Sequence, residues 1–170
     1  MVLLQRLPGL GIERGEEETR FFIDEDFVDA CRAGDLVEFV ANPYGSDAPY
    51  SVPMESGIGN LGLQIAATRC RQRGLEQGKI VAAVRRAETL ASGHLIADLV
   101  RLSLELGHPV GETIYVKDLL IRELDLGSLS GNASQIEFQD CLFTRISIDG
   151  EVELRYLPRF VRCYVGILDG

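Results

Sequence analysis

At 170 residues the chain has room for one domain or two small ones, and 46% apolar with 25% charged residues is the make-up of a packed globular protein. A net charge of −9 runs against a sequence-independent nucleic-acid binder, whose phosphate contacts need a basic footprint. No apolar run approaches the roughly 20 residues of a membrane helix, and the early break at Pro8 is unlike a signal peptide, so the expected compartment is the cytoplasm.

Residues 10–14 and 19–23 flank an acidic turn at 15–18 and read as a hairpin. Asp24 follows as an N-cap for a helix carrying Phe27, Ala30 and Cys31, which Gly34 is expected to stop. Asp35 then caps a second short helix over 36–41, closed by Asn42 and Pro43. Residues 44–57, rich in Gly, Ser, Pro and Asp, form a loop. Beyond it the spacing predicts a helix over 60–73 with Leu61, Ile65 and Thr68 inward. Another over 79–91 turns in Ile80, Ala83, Val84 and Ala87. A Leu-rich helix over 95–106 carries Leu95, Leu99, Leu102 and Leu106, with Gly107 at its C′ position and Pro109 preventing continuation.

From about residue 113 the chain repeats itself every 22 residues. Val116, Phe138 and Phe160 recur in step, as do Leu119, Cys141 and Cys163, then Ile121, Phe143 and Val165; Leu124 and Ile146 match, with Leu168 close by. A fixed period of this size with alternating apolar residues predicts stacked β-coils sharing one core. The expected architecture is therefore α+β: a small helical, winged-helix-like bundle with an N-terminal hairpin over 1–112, then right-handed parallel β-helix coils of about 22 residues over 113–170. Both ends read as cut, as in a piece of a longer protein or one that leans on a partner.

Chemistry-bearing motifs are scarce. The stretch from Arg73 to Ile80 lacks the Gly and the Ser or Thr of a phosphate-binding loop, and reads as a helix junction. Gly57, Gly59 and Gly62 match the GxGxxG spacing but follow a loop rather than a strand. His94 and His108 flank the Leu-rich helix, roughly 20 Å apart, too far to share a metal. The cysteines show no CxxC spacing; Cys141 and Cys163 fall at equivalent inward positions as small buried hydrophobes. The acidic cluster Glu13, Glu16, Glu17, Glu18, Asp24, Glu25, Asp26 and Asp29 lacks a calcium-loop pattern and reads as a solvated face. Asp118, Asp140 and Arg162 align as a ladder that permits Asp140–Arg162 pairing. One candidate docking patch is Arg69, Arg71, Arg73, Lys79, Arg85 and Arg86, on two helices, which is either a solvated face or a ridge suited to a phosphate, a nucleic acid or an acidic partner surface. No catalytic, metal or cofactor residue is expected.

The run from Arg20 to Asp35 (RFFIDEDFVDACRAGD), with Asn42-Pro43-Tyr44, resembles the stretch after the nucleotide-binding core of bacterial STAND-type (NACHT-like) NTPases. The runs from Phe138 to Phe143 and from Leu157 to Tyr164 look like coil repeats that can follow there. The resemblance implies that the hairpin is the wing of a winged-helix domain in a multidomain signalling or defence ATPase. It implies catalytic residues upstream, so ATP hydrolysis would belong to the parent and none of it to this chain. The expected function is a non-catalytic regulatory and interaction region, its partner the nucleotide-binding domain or another protein. The alternatives are a free-standing acidic β-solenoid adaptor or nucleic-acid mimic, and a small hydrolase pairing Cys31 or Cys70 with a histidine.

Overall fold

One long helix stands where two short ones were expected. The computed structural model describes residues 10–13, 19–22, 25–45, 57–107, 113–126, 134–148 and 154–170. In it α1 (Glu25–Ala41) runs unbroken through Gly34. A mid-helix glycine costs only about 1 kcal/mol relative to alanine. Burial of Ala33, Leu36, Val37 and Val40 along one face outweighs it. The missing side chain also makes room, since a Cβ on Gly34 would lie 3.3 Å from the guanidinium of Arg69. Before this helix, β1 (Leu10–Glu13) and β2 (Thr19–Phe22) pair antiparallel, Leu10 opposite Phe22 and Glu13 opposite Thr19. The expected turn at 15–18 and the Asp24 cap lie outside the described residues, as do His108 and Pro109.

Next come α2 (Asn60–Gln72), α3 (Gln77–Thr89) and α4 (Gly93–Leu106). Of the expected inner face of α2, Ile65 packs partly buried against the core, but Leu61 and Thr68 do not. Leu61 and Thr68 are exposed, and Leu63, Ala66, Ala67 and Cys70 are buried. Small residues win there because α1 comes so close that a Cβ on Gly62 would sit 2.8 Å from the carbonyl oxygen of Asp29. On α3 the expected Ile80, Ala83, Val84 and Ala87 are all buried. Helices α1 and α4 each pack on both α2 and α3. Buried from Leu95 to Val100 and again at Leu102 and Leu104, α4 is covered on nearly every side, as an all-round apolar helix must be. It ends at Gly107, which takes the left-handed conformation (φ 64°) the sequence suggests.

After α4 each repeat supplies one short and one longer strand. These are β3 (Ile114–Lys117) and β4 (Leu120–Asp125), then β5 (Ile136–Gln139) and β6 (Leu142–Ser147). A 3₁₀ turn (Leu154–Tyr156) precedes β7 (Arg159–Val161) and β8 (Tyr164–Asp169). Pairing is parallel, in the orders β3-β5-β7 and β4-β6-β8, and Val116 meets Phe138, which meets Phe160. The two strands of each copy meet at a corner residue with positive φ: Asp118 (54°), Asp140 (53°) and Arg162 (53°).

This corrects the expectation of a winged-helix-like bundle feeding right-handed β-helix coils. The architecture is α+β, with four helices and two open three-stranded parallel sheets among the described residues. The period dictates which residues pair, but among the described residues each copy shows two strands, and two sides do not enclose a coil. Helices take up part of the remaining surface: α4 packs on β4, and α3 on β3. Among the described residues, β1 and β2 pair with each other and with no other strand.

Helices and sheets share one apolar cluster, from Ala33 and Leu36 through Leu99 and Leu102 to Phe138 and Phe143. At its sheet end, Phe138 stacks on Phe160 (centroids 5.5 Å apart), and the Phe143 ring meets both edge-on, at 5.1 and 5.4 Å.

Candidate interaction sites

Several cations of the expected docking patch are engaged by the chain itself. Arg71 Nη2 donates to the Glu105 carbonyl (2.6 Å) near the end of α4, and Lys79 Nζ to the Ala41 carbonyl (3.2 Å) at the end of α1. Both neutralise the negative end of a helix dipole. Arg73 Nη2 meets Glu38 Oε1 at 2.6 Å, and this hydrogen bond, with the charge behind it, holds Glu38 below its usual range. Arg86 Nη1 donates to Thr89 Oγ1 (3.2 Å), Arg69 lies over Gly34, and Arg85 is exposed on α3. Arg71, Arg73, Lys79 and Arg86 therefore bond to their own chain, and the first three clamp one helix to another.

A more organised polar centre lies where the loop before α2 crosses α4. Asp98, only 1% exposed, accepts the Ile58 N–H on both carboxylate oxygens (3.1 and 3.2 Å). Asp29 of α1 accepts the Gly59 N–H (3.0 Å), and Arg32 Nη1 donates to the Gly57 carbonyl (3.1 Å). One turn beyond Asp98, Arg101 donates to the Ile58 carbonyl (2.5 Å) and Asn60 Oδ1 (2.9 Å), and it reaches Asp125 of β4 (3.4 Å). The 57–60 loop, Asp98, Arg101, Asp125 and Glu123 line a cavity of about 240 Å³.

The GxGxxG spacing acquires a packing explanation here. A Cβ on Gly57 would sit 2.6 Å from Asp98 Oδ1, and one on Gly59 would collide with the Asp29 carboxylate. The glycines admit carboxylates to the backbone from within the protein; they do not cradle an external phosphate. The sequence reading missed Asp98 and Arg101, and it put Asp29 on a solvated face, whereas Asp29 accepts the Gly59 N–H. The available signal was a charged pair three residues apart inside the most apolar helix, where burial demands mutual satisfaction.

Other chemical candidates are equally inward-looking. Burial pushes the Cys70 thiol up to about 11, which keeps it protonated and unreactive near neutrality. The thiols of Cys141 and Cys163 lie 3.5 Å from the Val116 carbonyl and 3.3 Å from that of Phe138, successive rungs of one ladder. His94 is half-buried and its pKa is lowered, by desolvation first and then by Arg122, with Arg32 adding to the effect against an opposing Glu123. Among the described residues no three His, Cys, Asp or Glu side chains group to hold a metal ion. Nor, among them, is any helix long and apolar enough to cross a membrane.

The remaining surface is the outer edge of the two sheets, formed by β7 and β8. Positions fully buried one copy earlier become exposed there: Phe138 is 0% accessible and Phe160 37%, Ile146 is 3% and Leu168 67%. Tyr164 and Ile167 are exposed beside them. Main-chain groups follow the same logic. Asp118 and Asp140 donate their N–H groups to the next copy, at the carbonyls of Gln139 and Val161, and Leu119 and Cys141 carbonyls accept from Leu142 and Tyr164. Arg162 N–H and the Cys163 carbonyl occupy those places in β7–β8, with no further strand beyond them among the described residues.

No family model, curated protein or solved structure matches the chain.

Proposed function

We propose that this region is a non-catalytic docking and regulatory element of a larger STAND-type signalling or defence NTPase, working in the cytoplasm through contact with the nucleotide-binding core or another protein. The observation that carries the docking reading is the reversal of burial at the outer edge, where Phe160 and Leu168 are exposed at positions that Phe138 and Ile146 fill as core. Apolar side chains and unspent ladder groups on one strand pair suit the addition of another polypeptide. The non-catalytic reading is supported by how the polar residues are used: Asp98, Arg101 and Asp29 hold the chain's own backbone, and the Cys70 thiol is masked by burial. Assignment to the STAND class rests on the resemblance of the run from Arg20 to Asp35 and of the repeats. Regulation would follow from tighter contact at this edge in one state of the core than in the other.

The test is site-specific photo-crosslinking in the native host. A photoreactive residue replaces Tyr164 or Leu168 at the edge, and Gln64 on the exposed face of α2 serves as the comparison. Adducts from the edge positions to a nucleotide-binding protein support the reading. Edge positions that give no adduct, or adducts from Gln64 alone, overturn it.

A further inference from the structure

Between the second and third copies the charges along the sheet are opposed in sign, whereas the first corner carries Asp118 below Asp140. Glu137 on β5 faces Arg159 on β7 (3.6 Å), and the Asp140 carboxylate takes Arg162 in a two-pronged contact, 2.6 Å at both Nε and Nη2. The copy Glu137-Phe138-Gln139-Asp140 is thus answered by Arg159-Phe160-Val161-Arg162, acid against base at the first and fourth positions and ring on ring at the second. Both arginines remain 71% and 66% exposed, because each meets an acid only on its inner side. At the opposite end of the sheets α4 comes against β4, so that a Cβ on Gly93 would collide with the Leu120 carbonyl.

We infer that the occupant of the outer edge is an extended acidic segment of a partner, adding parallel to β7 with the pattern acid–apolar–any–acid. Its two carboxylates sit over Arg159 and Arg162, its apolar residue covers Phe160, and its backbone takes up the Arg162 N–H and the Cys163 carbonyl. This rests on the docking reading above and names the partner's chemistry. A second copy of the chain does not present the same pattern from its sheets, since its own Glu137-to-Asp140 strand is paired on both sides.

The experiment uses the full chain and a labelled peptide spanning 136–148 of the same sequence, which carries the acid–apolar–any–acid pattern. Binding is followed by fluorescence anisotropy, beside the same peptide with Glu137→Lys and Asp140→Lys. The acidic peptide is expected to bind at least about tenfold more tightly than the basic one, from two exposed charge pairs changed from attraction to repulsion. With Arg159→Glu and Arg162→Glu in the protein, the preference is expected to invert. Should that pair of changes impair folding, checked by circular dichroism, Arg159→Gln with Arg162→Gln is expected to abolish the preference. No saturable binding of the acidic peptide, equal binding of the two peptides, or a preference that the protein variants leave unchanged overturns the inference. Edge crosslinks that persist without any charge preference overturn this inference alone; loss of the crosslinks overturns the docking reading itself.

Discussion

Replacing Asp98 with alanine should be among the most destabilising single changes in this protein. The carboxylate is 1% exposed, it receives the N–H of Ile58, itself buried, and it lies 4.0 Å from Arg101, whose side chain is only 10% exposed. Asp98→Ala strands one buried donor and one nearly buried cation. Removing one partner of a buried pair costs about 3–5 kcal/mol. Arg101 keeps Asp125, Asn60 and the Ile58 carbonyl, which places the expected loss at the lower end, about 3 kcal/mol. Asp98→Asn keeps an acceptor for Ile58 and loses only the charge, so about 1–2 kcal/mol is expected. Urea unfolding followed by far-UV circular dichroism reads both. With a slope of about 2 kcal/mol/M, the alanine variant's midpoint falls by about 1.5 M and the asparagine variant's by about 0.5–1 M. An alanine variant within about 0.5 kcal/mol of the parent, at unchanged slope, would show that the clasp around Ile58 does not hold the loop onto α4.

Further outcomes follow from single residues. His94 has its pKa lowered in the fold, by burial and then by Arg122 and Arg32, from an ordinary 6.5. Below about 6.5 the unfolded chain therefore binds a proton that the folded one refuses, so this group's effect is to make stability rise with pH there and fall on acidification. Between neutral pH and about pH 5 the parent should lose more stability than His94→Asn; equal losses would contradict the assignment. In thiol labelling of the native protein near neutrality, exposed Cys31 should react first, and Cys70, its thiol raised to about 11, only as fast as the chain opens. Prompt native-state labelling of Cys70 would refute its burial. At the first corner, Asp118 sits at φ 54°, so Asp118→Ala should lose about 1 kcal/mol while Asp118→Gly stays within about 0.5 kcal/mol of the parent in thermal unfolding.

How far the sequence could be read depended on whether a signal was local or relational. The 22-residue period is relational, but it is written along the chain, and it carried the pairing of Val116 with Phe138 and Phe160. It says nothing about how many sides a copy has, and the expectation of closed coils failed at that point. Stripe patterns served α3 well, because Ile80 and Val84 are large enough to mark its buried face. They misled in part on α2, where Leu61 outscores Gly62, Ala66 and Ala67 in hydropathy although the close approach of α1 leaves no room for a side chain at Gly62. Gly34 failed as a stop signal for a related reason. A terminator acts through a small local preference, which the burial of Leu36 and Val37 on the same helix overrides.

The polar centre shows the same division more sharply. Gly57 and Gly59 were visible as a motif, and Asp98 and Arg101 as charges inside an apolar helix, yet neither observation points to the other across some 40 residues. Their relation exists only once α4 and the loop before α2 are in contact. At that point each explains the other: the carboxylate needs a backbone without a side chain, and the backbone N–H needs an acceptor that water cannot reach. The outer edge differs in kind. Phe160, Arg162 and Leu168 are legible as a third copy because they repeat Phe138, Asp140 and Ile146, and their exposure follows from having only one neighbouring copy to pair with. A repeat makes each copy both a surface for the one before it and a template for the one after it. In β7 and β8 the first role is filled by β5 and β6, and the second is the property from which the docking proposal and its charge rule derive.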